Sequence, residues 1–146
     1  MTEMPSFRES FKRRRCIIPA DGFYEWQKTQ DRKQPYYFSM RDEQPFGFAG
    51  LWDRWKSPEG ELLETCTILT TEANDTVKNV HDRMPVILHR TDYDLWLDDD
   101  PRKLSFLKEL LRPYPSEEII SYPVSTLVNN VRVDRAELIE QLANSY

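Results

Sequence analysis

The sequence is read as an α+β fold: an antiparallel β core flanked by short helices. Three observations predict it. Residues 16–88 hold short β-branched and aromatic runs separated by polar turns. From residue 91 the apolar positions change to helical spacing. Ten prolines against four glycines imply stiff loops. A length of 146 residues suits one domain with a core of its own.

In chain order, Pro5-Ser6-Phe7-Arg8-Glu9-Ser10-Phe11 reads as a short helix capped by Ser6, with Glu9 three residues on. Strands are predicted at Cys16–Pro19, Gly22–Lys28, Pro35–Met40, Phe46–Trp55, Leu62–Thr71 and Val86–Leu88. Turn signals separate them at 31–34, 42–45 and 57–60. Thr91 is placed to cap a helix over Asp92–Leu97. Pro101 opens a segment whose face carries Leu104, Leu107, Leu110 and Leu111, and Asp134–Leu142 repeats the pattern with Leu138, Ile139 and Leu142.

The net charge of −5 excludes a uniformly basic coat but not a local basic site. Residues 1–16 carry +3, residues 17–90 carry −3 and residues 91–146 carry −5. Lys12, Arg13, Arg14 and Arg15 concentrate the positive charge, as a solvated helix end or as a phosphate contact surface. No long apolar run reads as a membrane span or signal peptide. Cys16 and Cys66 do not make a disulfide framework, so a cytoplasmic location is expected. No metal or phosphate-loop motif occurs, and neither a metal nor a cofactor is expected.

Two segments carry candidate chemistry. In Pro19-Ala20-Asp21-Gly22-Phe23-Tyr24-Glu25-Trp26, an extended strand turns Phe23 and Glu25 one way, Tyr24 and Trp26 the other. A carboxylate flanked by aromatic side chains loses water, its pKa rises, and it becomes a proton carrier near neutrality. The bland alternative is a solvated edge-strand glutamate. In Val80-His81-Asp82-Arg83-Met84-Pro85, His81 sits among polar groups in a loop and suits a proton relay or an oxyanion partner. The bland alternatives are a structural histidine and a surface Asp82–Arg83 pair. Thr70 and Asn74 end a strand and enter a turn. Asn129 and Asn130 form a polar pair in an apolar frame, tying loops or lining a site. Trp26, Trp52, Trp55 and Trp96 are read as core, with an exposed aromatic available to stack a base. Cys16 reads as a core strand residue rather than a nucleophile.

Three spaced motifs resemble one family. Arg14-Arg15-Cys16-Ile17-Ile18-Pro19-Ala20-Asp21-Gly22-Phe23-Tyr24-Glu25-Trp26, Ile68-Leu69-Thr70-Thr71-Glu72-Ala73-Asn74 and Val80-His81-Asp82-Arg83-Met84-Pro85-Val86-Ile87-Leu88 resemble signatures of the SOS-response-associated peptidase (SRAP) family. Pro123-Val124-Ser125 and Val128-Asn129-Asn130 resemble its tail. The resemblance implies a barrel-like β core, binding of single-stranded DNA, and capture of abasic sites as a protein–DNA crosslink. It also implies lyase activity and the older label of a self-processing cysteine peptidase. It maps Glu25 as proton relay for Schiff-base chemistry and His81 as partner of the opened sugar oxygen. Thr70 and Arg83 map near the lesion and the DNA backbone. Arg14, Arg15 and Asn129 complete the expected DNA contacts.

The sequence departs from the family at its start, where residue 2 is Thr2 rather than the cysteine of Met-Cys-Gly-Arg. The expectation is therefore a single SRAP-type domain over 1–146, truncated at its N-terminus. It would bind without forming the stable crosslink by itself, and would self-associate through the truncated edge. A non-catalytic nucleic-acid-binding or interaction module on the same scaffold is the alternative. A hydrolase pairing Cys16 or Cys66 with His81 is a third reading.

Overall fold

The computed structural model describes the backbone of residues 5–143, and side chains from Phe7 onward. The expected Ser6 cap and the Thr2 departure lie outside these described groups. Helix α1 (Pro5–Arg13) leads into β1 (Arg15–Ala20), β2 (Phe23–Lys28), β3 (Lys33–Met40), β4 (Phe46–Lys56), β5 (Leu62–Ile68), β6 (Thr70–Glu72), β7 (Arg83–Pro85) and β8 (Ile87–Leu88). Helices α2 (Tyr93–Leu97) and α3 (Leu104–Leu107) precede β9 (Ile119–Pro123). Among the described residues no helix is long and apolar enough to cross a membrane. The chain is mixed α+β with mostly antiparallel ladders, as the alternating runs predict.

The residues fall into two compact units. The first holds residues up to Pro19 with Phe46–Thr71 and Pro85–Tyr114. Its sheet runs β1-β4-β5, and β8 also pairs with β4. Phe11, Leu51, Val86, Trp96 and Leu107 meet in one buried cluster. Trp96 is wholly buried, meets Phe11 edge-on at 6.0 Å and donates its indole N–H to the Cys16 carbonyl at 2.8 Å. That bond removes the cost of burying the indole nitrogen. The predicted leucine face is real, since Leu107 and Leu110 are buried. Its helix is broken, with 3₁₀ turns at Pro101–Lys103 and Lys108–Leu110 on either side of α3. Asp100 caps the first of these by accepting from the Arg102 N–H at 3.0 Å.

The second unit holds Ala20–Pro45, Glu72–Met84 and residues from Pro115. Its sheet runs β2-β3-β9, antiparallel throughout, with Glu25 opposite Tyr36 and Phe38 opposite Ser121. Phe23 stacks on its cross-strand partner Phe38 at 5.0 Å. Gly22 precedes β2 because Tyr37 occupies the space a side chain would need: a Cβ there would meet the phenol oxygen at 2.1 Å.

Four expectations are corrected. Among the described residues the barrel does not close in hydrogen bonds: their ladders form three separate sheets. Pro85 and Pro123 end their strands, and a proline has no N–H to extend a ladder. Residues 119–123 are a strand, with β-branched Ile119 and Ile120 and aromatic Tyr122 paired against β3. The helix expected over Asp134–Leu142 is a 3₁₀ turn at Ala136–Ile139. There the Tyr24 and Tyr122 hydroxyls donate to the Leu138 and Ile139 carbonyls, taking acceptors an α-helix would use. Trp55 is not core: it lies 57% exposed near the β4–β5 turn.

Candidate functional site

Glu25 sits on β2, the edge strand of the second unit's sheet. Its side chain is only 22% exposed. Burial pushes its carboxyl pKa above the ordinary carboxylate value, Asp82 adds to the rise, and His81 opposes it.

His81 is delivered by a turn built from the chain around it. Asn74 Oδ1 accepts the N–H groups of Thr76 (3.1 Å) and Val77 (3.0 Å), closing an Asx turn. Val77 is fully buried and anchors that turn, and its carbonyl accepts the His81 N–H at 3.0 Å. The imidazole Nδ1 then lies 3.9 Å from Glu25 Oε2 and 3.5 Å from Asp82 Oδ1. It also lies 3.1 Å from the Arg83 N–H and 3.0 Å from the Arg83 carbonyl. Nδ1 thus accepts from Arg83 when unprotonated and donates to Arg83 when protonated. In either tautomer Nδ1 keeps a backbone partner.

A cleft of about 520 Å³ in this unit is lined by Glu25, Trp26, Lys28, Lys33, His81, Val128, Asn129 and Val131. The Trp26 indole N–H donates to Asn129 Oδ1 at 2.5 Å, which fixes the ring as one wall. Asn129 closes a 3₁₀ turn, Thr126–Asn129, whose cap is Ser125 Oγ accepting from the Leu127 N–H at 3.1 Å.

Of the residues singled out from sequence, Glu25, His81, Arg83 and Asn129 belong to this unit, and Glu25, His81 and Asn129 line one cleft. Thr70, Arg14 and Arg15 belong to the first unit. Thr70 is exposed at the start of β6. Arg14 is half-buried, donating to Ser10 Oγ at 2.8 Å and lying 3.5 Å from Asp53. Arg15 is only 9% exposed, and its guanidinium donates to the carbonyls of Phe11, Lys12, Trp96 and Asp98. A guanidinium committed to four carbonyls has little left for a phosphate, and its role in this geometry is structural.

Sequence reasoning missed Lys28 and Lys33. The signal was available: the four-residue loop 29–32 places them equally far from the turn, hence opposite each other. Trp26, read as core, is a wall of the cleft.

The α+β chain thus brings a half-buried carboxyl within 3.9 Å of an imidazole in a cleft walled by Trp26. Residues 1–131 match the SOS response associated peptidase (SRAP) family, and the chain belongs to that family. It is similar to the abasic site processing protein YoqW of Bacillus subtilis, 43% identical over 141 residues that make up 96% of this chain and 63% of that protein. It is also similar to the abasic site processing protein HMCES of Xenopus tropicalis, 36% identical, covering 94% of this chain and 46% of that protein. The chain thus spans about half to two-thirds of the length of these relatives. A crystal structure of a protein from Bacteroides thetaiotaomicron superposes with a TM-score of 0.85 at 31% identity, covering 97% of this chain and 62% of that one. A second, from Bordetella bronchiseptica, gives a TM-score of 0.75 at 32% identity, covering 85% of this chain and 61% of that one.

Proposed function

We propose that this chain recognises abasic sites in single-stranded DNA, with Glu25 and His81 as the acid–base pair at the opened sugar. The observation that carries the reading is the 3.9 Å approach of Glu25 Oε2 to His81 Nδ1 in a cleft with Trp26 as wall. An abasic sugar in its ring-opened form presents an aldehyde and a hydroxyl. Attack by an amine on that aldehyde gives a carbinolamine, which loses water only if its hydroxyl receives a proton. A carboxyl whose pKa burial raises is a better donor of that proton than an ordinary one, and as a carboxylate it takes one back when the imine is hydrolysed. His81 hydrogen-bonds the sugar oxygen as it changes charge. Arg83 and Thr70 serve the DNA backbone, and Arg14 and Asn129 complete the contacts. The free Cys16 and Cys66 suit action in the reducing cytoplasm.

Residue 2 of this sequence is Thr2, a threonine and not a cysteine. A thiazolidine needs a thiol and an amine on adjacent carbons; in this reading the described groups of 1–146 bind and position the lesion. Incubation with labelled single-stranded DNA, abasic or intact, tests it. The expected result is tighter, salt-sensitive retention of the abasic strand on a native gel, weakened by E25Q and by H81A, with no heat-stable band on a denaturing gel. Equal affinity for both strands would refute the lesion-sensing role, and a heat-stable crosslink would refute the assignment of 1–146 as binding only. The same gels run against chain concentration test the self-association expected of this chain.

A further inference from the structure

Lys28 and Lys33 are directly opposite across the β2–β3 hairpin. Two like charges on a cross-strand pair repel and destabilise the hairpin that carries them. Among the described residues neither ammonium has a carboxylate within ion-pair distance, although the chain as a whole carries −5. Both line the cleft that holds Glu25 and His81. By strand alternation they share the face of Trp26, and Glu25 takes the opposite face of the same edge strand. The cleft therefore wraps the β2 edge, with acid–base groups on one side and an aromatic wall with two cations on the other.

We propose that the Lys28–Lys33 pair is a phosphodiester subsite, a clamp on the DNA backbone beside the lesion; it rests on the reading of Glu25 and His81 given above. Along β2, Lys28 lies three residues from Glu25, a separation of about 10 Å. The phosphate it holds thus belongs to a nucleotide flanking the abasic one. Two ammonium groups on flexible stems offer several donors to one phosphate, and its negative charge relieves their mutual repulsion. The pair costs stability in the free protein and repays it only when an anion is bound.

The experiment measures fluorescence anisotropy of a labelled single strand carrying a stable abasic analogue, from about 50 to 200 mM salt, the range over which phosphate contacts lose most affinity. The slope of log affinity against log salt should fall by about 0.7 for the double variant, the contribution of the one phosphate the pair holds, and by less for K28Q or K33Q alone, where the remaining ammonium keeps part of the contact. The abasic-over-intact preference should stay as in wild type, and K28R/K33R should restore the slope. The urea midpoint of the double variant should equal or exceed the wild-type value, which a merely structural lysine pair would not produce. Lys56→Gln, an exposed charge in the first unit, should leave the slope unchanged. An unchanged slope in the double variant, or an equal fall with Lys56→Gln, overturns the clamp while the function reading stands. Wild type without salt-dependent binding overturns both.

Discussion

Replacing Arg15 with methionine keeps most of its buried stem and deletes the guanidinium. The deletion orphans the carbonyls of Phe11 and Lys12 in the last turns of α1, of Trp96 near the end of α2, and of Asp98. Helix C-terminal carbonyls have no partner within the helix and carry partial negative charge, so one cation here terminates two helices at once. It also lies over the Trp96 ring, 5.8 Å from its centroid. Hydrogen bonds to a charged group contribute about 1.5–3 kcal/mol each, but desolvating the cation offsets part of their sum. Removing one partner of such a buried set costs about 3–5 kcal/mol. R15K should lose about half of that, because a lysine has three donors and no planar fork.

Urea unfolding followed by fluorescence gives the stability, and anisotropy at a temperature where the variant is folded gives DNA affinity. R15M should unfold far earlier than wild type yet retain the salt slope when folded. A loss below about 1 kcal/mol would refute the structural account. Wild-type stability with a slope lowered by about 0.7 would return Arg15 to the phosphate contacts.

Three further outcomes follow from the second unit. Because the folded Glu25 pKa is raised, the carboxyl favours folding below its unfolded pKa and loses that contribution as pH rises through the folded value. E25Q should therefore be more stable than wild type at pH 7 by about 0.5–1 kcal/mol, with the gap closing in acid; an equal gap at both pH values would contradict the buried carboxyl. Burial and Asp21 push the Tyr37 phenol up to about 12, and burial raises Tyr24 and Tyr122 as well, so ultraviolet titration should show a late-ionising tyrosine component that Y37F diminishes. Stability should fall as pH climbs from the ordinary tyrosine value of 10.0 toward 12. Gly22→Ala drives a methyl into Tyr37, and a loss of about 1–3 kcal/mol is expected in urea, with Y37F/G22A recovering little.

Element type was legible where a segment's local pattern agreed with its environment. β2, β3 and β4 announce themselves through aromatic and β-branched runs between turn residues, and the Leu107–Leu110 face through its spacing. The misreadings come from partners distant in sequence. Ile119–Pro123 becomes a strand because β3 offers it an edge, and its short β-branched and aromatic run does not announce that pairing on its own. Ala136–Ile139 stays a single turn because two tyrosine hydroxyls from the sheet take its carbonyls. Trp55 looks like core by type, yet β4 runs on past the buried region to Lys56.

The candidate site was legible for a different reason. Glu25 breaks the rule its strand obeys, a carboxylate among aromatics, and such local contradictions mark function more often than stability. His81 carries no comparable signal in its own sequence context. Its position depends on Asn74 closing a turn and on buried Val77 anchoring it, seven and four residues upstream. The Lys28–Lys33 pair falls between the two cases. Each lysine alone is an ordinary surface residue, and only the hairpin register makes them a contradiction. Like charges set opposite each other without an acid nearby pose the question Glu25 poses, and the cleft they share with it supplies the same kind of answer.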